Sequence, residues 1–220
     1  DSWRPAEQRV LPLALWELRE DVEKLFLREG RYPDVYYDVP VTTLRKGDGT
    51  TPLDHRGISL YTANYRVAAA TWWARISPGL TKWTHDTAYG GLPGRECMEA
   101  AWDSQAAFEH ALLTRTPIVQ TNLDYWKLFD TFDPTFFQKL KVAAGLPPEV
   151  ANLNHHLNTH VRKSFKVRQH LGDFFHINRG AGQGDSFSLI DALIITTIQA
   201  RLIADQHPDV TFTSVVDDRA

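Results

Sequence analysis

The 220-residue sequence predicts an α+β fold. Three observations lead there. Several long segments repeat apolar residues at helical spacing. Other segments are short, rich in β-branched and aromatic residues, and bounded by glycine or proline. The two kinds are mixed along the chain with no clear linker between them.

The elements follow in order. Residues 5–29 set Val10, Leu13, Leu15, Leu18, Val22, Leu25 and Leu27 near one helical stripe, and Gly30 and Pro33 stop it. Residues 35–44 have strand composition. Arg45-Lys46-Gly47-Asp48-Gly49-Thr50-Thr51-Pro52 is a polar turn. Residues 58–60 read as a short strand and 62–76 as a helix. After a glycine-rich break at 90–94 come a helix at 96–113 and a strand at 117–123. Two helices, 134–144 and 147–160, each carry a proline early, which suits a first turn. Residues 161–167 and 173–177 form a hairpin across Gly172. A helix at 185–204 has an almost continuous apolar face, and 210–216 is a strand.

Composition narrows the function. With 43% hydrophobic and 23% charged residues the chain can bury one sizeable core. No apolar run reaches the length of a bilayer span, so no membrane partner is expected. A net charge of −3 argues against coating nucleic acid through bulk charge. The single cysteine, Cys97, excludes an internal disulfide and reads as a small apolar helix residue. The chain starts at Asp1 and its only methionine is Met98, so it reads as a piece of a longer polypeptide.

The chemistry lies in three separated places. Asp124 ends the apolar stretch 116–123. Asp217-Asp218 follow the strand 210–216. Between them Arg179-Gly180-Ala181-Gly182-Gln183-Gly184-Asp185 opens the long apolar helix. Each has a plainer reading: Asp124 as a helix cap, Asp217-Asp218 as a tight turn, and the glycine turn as a helix start capped by Asp185. Adjacent carboxylates repel, however, and a cation between them is the natural remedy. Carboxylates on two strand ends are what two-metal phosphoryl transfer needs.

These segments resemble the reverse transcriptases of non-LTR retroelements and group II introns. Asp124-Tyr125-Trp126-Lys127-Leu128-Phe129-Asp130 is similar to the family's first palm motif, matching at Lys127, Phe129 and Asp130. Residues 179–188 resemble Arg-Gly-x-x-Gln-Gly-x-Pro-x-Ser, with Ser186 in place of proline. Val215-Val216-Asp217-Asp218 resembles aromatic-x-Asp-Asp, with Val215 in place of the aromatic. Upstream, Lys46-Gly47-Asp48 with Arg56-Gly57-Ile58-Ser59-Leu60 is similar to the fingers motif, with Gly57 where proline is usual. Gly90-Gly91-Leu92-Pro93-Gly94-Arg95 resembles Gly-Phe-x-Pro-Gly-Arg.

The resemblance implies a helical extension (1–40), fingers (41–115) and an incomplete palm (116–220), with an antiparallel palm sheet backed by helices and truncated before the thumb. It implies catalytic carboxylates Asp124, Asp217 and Asp218. Two magnesium ions, or manganese in their place, would be held by Asp124, Asp217 and the backbone carbonyl of Tyr125. Lys46 and Arg56 would clamp the triphosphate, Phe129 would lie under the sugar and exclude a 2′-hydroxyl, and Gln183 would meet the nascent base pair. Arg95, Arg179, Gly182 and Gly184 would touch template or primer. The implied partners are a primed RNA or DNA template and deoxynucleoside triphosphates, in an intracellular setting, the nucleus for a eukaryotic element. Residues 1–220 alone are expected to be inactive. The competing expectation, motivated by Gly57, Ser186 and Val215, is a domesticated remnant that binds nucleic acid or packs structurally without copying. An RNA-copying RNA polymerase is disfavoured by Phe129.

Three patterns stand outside those motifs. Arg162-Lys163-Ser164-Phe165-Lys166-Val167-Arg168 surrounds an apolar alternation with cations, which fits either a template duplex or a solvated strand. His156 and His160 have helical metal-ligand spacing but no third ligand nearby, which favours ordinary polar residues. Trp72 and Trp73 read as core or groove wall.

Overall fold

A computed structural model of the chain describes residues 5–45, 51, 54–122, 125 and 127–215. The N-terminal helical stretch is broken in two, α1 (Pro5–Arg9) and α2 (Leu13–Glu29). Gly30 closes α2 at φ 67°, a left-handed conformation that glycine adopts without a Cβ penalty. A 3-10 turn at Asp34–Tyr36 leads into β1 (Asp38–Arg45), followed by β2 (His55–Ser59). Helix α3 (Ala63–Trp83) runs past the expected end at residue 76 and through Pro78, and Leu80 beyond the proline is buried. Packing of that last turn outweighs the weak local propensity.

Next come β3 (Ala88–Tyr89), α4 (Cys97–Thr114), the short α5 (Leu128–Thr131), α6 (Pro134–Ala143) and α7 (Pro148–His160). Asp133 caps α6, its carboxylate accepting the N–H groups of Thr135 (2.9 Å) and Phe136 (3.0 Å). Strands β4 (Arg162–Val167), β5 (His170–Leu171) and β6 (Phe175–His176) make a hairpin, but its turn is Arg168-Gln169 rather than Gly172, which lies between β5 and β6 in the returning arm. Helix α8 (Ser186–Gln206) and β7 (Ser214–Val215) complete the described chain.

The chain is α+β, with a mixed sheet. Strand order is β2-β1-β4-β5, with β6 also pairing β4. β1 and β2 are antiparallel, from Val41↔Ser59 to Arg45↔His55. β1 and β4 are parallel, from Asp38↔Arg162 to Val41↔Phe165. This departs from the antiparallel sheet expected from sequence. Residues 117–122 have β-branched content but join no ladder, and of 210–215 only Ser214 and Val215 are strand, parallel to β3.

The chain divides into two compact units, each discontinuous in sequence: residues 1–75 with 129–188, and residues 76–128 with 189–220. In the first unit, Val39, Val41, Tyr65, Phe132, Phe137, Leu153 and Leu157 are buried. In the second, Leu80, Ala88, Leu92, Leu193, Ile194 and Thr197 are buried.

Helix α8 is long and apolar enough to cross a bilayer by length and composition alone. The sequence run is interrupted by Asp191 and Gln199, yet its mean hydropathy stays high. The stretch is 61% buried, the state of a core helix.

Candidate functional site

The glycine turn 179–185 is built from the first unit's backbone. The Gly180 N–H donates to the Phe132 carbonyl and the Ala181 N–H to the Phe129 carbonyl, both at 2.7 Å. The Ser59 N–H, at the end of β2, donates to the Gln183 carbonyl at 3.0 Å. Three motifs far apart in sequence therefore share one hydrogen-bonded cluster.

Glycine is required at two of these positions. A Cβ on Gly182 would lie 2.1 Å from the Tyr61 hydroxyl oxygen. Gly180 has φ +101°, and its Cβ would meet the Phe129 carbonyl oxygen at 3.1 Å. The Tyr61 ring fills the space at Gly182, and the Phe129–Asp130 backbone fills it at Gly180.

Below the turn lies a set of buried polar groups. The Tyr65 hydroxyl donates to Asp185 Oδ2 at 2.9 Å, and the Phe187 N–H donates to Asp185 Oδ1 at 3.1 Å. The Ser188 hydroxyl donates to the Gly182 carbonyl at 2.9 Å. Asp185 thus both starts α8 and ties it to α3. Burial raises its carboxyl above the usual carboxylate range, opposed by the Phe187 N–H, Tyr65 and the Lys141 charge. Burial and the Asp185 charge push the Tyr61 and Tyr65 phenols well above their ordinary value. Lys141 is buried on α6 and donates to Asn154 Oδ1 at 2.6 Å. The Tyr61 hydroxyl is buried against Gly182 with no hydrogen-bond partner among the described residues.

Of the predicted site residues, Asp124, Asp217, Asp218 and Lys46 lie outside the described residues. Arg56 sits on β2 opposite Leu44. Phe129 is half-buried in α5, its ring edge-on to Phe132 at 5.7 Å. Gln183 is half-buried, and Arg179 and Gly184 are exposed, on the same turn. These five and Gly182 belong to the first unit.

Tyr125 and Arg95 belong to the second unit. The Tyr125 hydroxyl donates to Gln199 Oε1 on α8. Arg95 is committed within the fold: its guanidinium donates to the His85 carbonyl (2.6 Å) and the Thr81 carbonyl (3.4 Å) and pairs with Asp86 (3.3 Å). Its expected template contact would have to compete with these acceptors.

Among the described residues no group of three or more His, Cys, Asp or Glu is placed to hold a metal ion. His156 is stacked on His160 at 3.9 Å and bonds the Tyr37 hydroxyl through Nδ1 at 2.8 Å. Sequence reasoning missed Tyr61, Tyr65, Lys141 and Asn154. Only Lys141 left a signal, standing four residues after Phe137 on the buried stripe of α6.

Gly180, Ala181 and Gly182 are buried, so the side of the turn open to a ligand is formed by Arg179, Gln183 and Gly184. No protein-family model matches this chain, and no curated protein matches it.

Proposed function

We propose that the chain is the fingers and palm of an RNA-directed DNA polymerase of retroelement type. The observation that supports this best is the convergence in the first unit. The end of β2, the Phe129 segment and the glycine turn are separated by tens of residues, yet Gln183 of the turn bonds Ser59, Gly180 bonds Phe132 and Ala181 bonds Phe129. Those are the segments that resemble three polymerase motifs, and a shared catalytic surface explains why they occur together in one chain.

In this reading the chain's residues bind and orient. Arg56 supplies a fixed cation for a triphosphate. The glycine turn lets a base pair approach Gln183 closely. Phe129 fills the space under the sugar and selects deoxynucleotides. Asp124 and Asp217 would hold magnesium, which supplies activation of the primer hydroxyl and neutralisation of the leaving pyrophosphate. Positioning and electrostatics then carry the rate.

The test is primer extension by the intact protein on a primed RNA template with magnesium. Asp124→Ala and Asp217→Ala are expected to abolish extension with little change in folding, and Asp218→Asn to be milder. Near-normal extension by either alanine variant at saturating magnesium sinks the assignment.

A further inference from the structure

We propose that the β4–β5–β6 hairpin binds single-stranded nucleic acid, RNA or DNA, by stacking unpaired bases on its phenylalanines and pairing phosphates with its cations. The proposal rests on the template-copying reading only for the source of the strand. The surface itself is argued from the hairpin.

Every residue from 165 to 176 is exposed, so this hairpin projects beyond the buried part of the sheet. An ordinary solvated hairpin would carry polar side chains outward. This one leaves Phe165 53%, Phe174 40% and Phe175 39% exposed. Phe165 and Phe175 lie together, ring centroids 5.6 Å apart and tilted by 32°. Lys163 pairs across the ladder with Phe175, and cross-strand partners share a face. Arg162 lies over Phe174 at 5.8 Å and is held there by Asp38, 2.7 Å from Nε.

Charge complementarity selects the occupant. Residues 162–176 carry four lysines and arginines against one carboxylate, in a chain whose net charge is −3; Arg162 is paired with Asp38 and Lys163 is half-buried, which leaves Lys166 and Arg168 as the open cations. The cations are thus concentrated at this hairpin against an acidic remainder. Lys166 and Arg168 stand exposed near its tip. Exposed aromatics interleaved with cations are what a sequence-tolerant single-strand site needs, because every base has a flat face and every linkage a charge. A duplex hides its base faces and would use the cations alone.

The experiment is fluorescence anisotropy of the whole chain with a labelled 20-nucleotide oligo(U) RNA and a matched RNA duplex. Magnesium is omitted, and salt is varied from 50 to 200 mM. The wild type is expected to prefer the single strand. Phe165→Ala with Phe175→Ala is expected to weaken single-strand binding about tenfold or more. Lys166→Gln with Arg168→Gln is expected to reduce the slope of log affinity against log salt by about 1.4. Phe165→Leu keeps apolar bulk and folding, checked by circular dichroism, but removes the flat face, and it too is expected to bind less well. The proposal is overturned if the wild type does not bind, if these variants bind as the wild type does, or if duplex and single strand weaken equally in the phenylalanine variants. Concentration-dependent dimerisation that these same substitutions abolish would also overturn it, in favour of a self-association edge. Magnesium-dependent extension is scored separately. Binding by this chain without extension by the intact protein sinks the polymerase reading alone, and extension by the intact protein with hairpin-independent binding sinks this one alone.

Discussion

Replacing Glu23 by glutamine should stabilise the protein at neutral and alkaline pH and change little in acid. Glu23 is half-buried on the inward side of α2, beside Tyr32 and Tyr36. Those two rings stack at 5.2 Å, and Phe26 meets both edge-on at 5.6 and 5.9 Å. Burial among them raises the Glu23 carboxyl to about 7 from 4.5, with the Arg19 charge opposing. A folded pKa above the unfolded one means that the folded state holds its proton longer. Stability therefore falls as pH rises from about 4.5 to about 7 and is flat beyond. The full shift corresponds to about 3.4 kcal/mol. Partial solvent contact of the carboxyl reduces this to about 1–2 kcal/mol. Urea unfolding followed by circular dichroism at pH 4, 5.5, 7 and 8.5 measures it. Glu23→Gln should match the wild type at pH 4 and exceed it by about 1–2 kcal/mol at pH 8.5. A difference that does not vary with pH, or a variant that is weaker at pH 8.5, would refute the reasoning.

Gly182→Ala should cost about 1–3 kcal/mol, because its Cβ would overlap the Tyr61 ring; an unchanged melting temperature argues against the packing described. Phe129→Val should raise the ratio of kcat/KM for ribonucleotides over deoxyribonucleotides. An unchanged ratio in an active variant would leave Phe129 as a packing partner of Phe132. Arg95→Ala should lower the melting temperature and leave the template KM unchanged, since its guanidinium is spent on Thr81, His85 and Asp86; a raised KM with unchanged melting would restore the template contact.

Helices were legible because their periodicity is local. Helix α2 shows what periodicity omits: Leu15, Leu18, Val22 and Leu25 form the stripe seen in sequence, yet all four are exposed. The less exposed side instead carries Trp16, Arg19, Glu23 and Phe26, set by the tyrosines beyond Gly30. The stretch 117–122 misled for a related reason, since β-branched residues fit a strand only where a neighbour supplies the ladder. The glycine turn was legible because close backbone approach demands glycine in the sequence itself. Tyr65 against Asp185 was not, since neither residue type announces a partner 120 positions away.

The parallel ladder between β1 and β4 also governs how the protein is made. More than a hundred residues separate the end of β1 from its partner at Arg162. At roughly 5–20 residues per second, a ribosome takes on the order of ten seconds to cover that interval. Until then β1 has only β2 beside it, and its other edge is open to any extended chain nearby. A two-stranded ribbon is marginal in water. This region of the first unit therefore closes only once β4 has been made, and its yield in a cell should depend on how well that waiting edge is shielded.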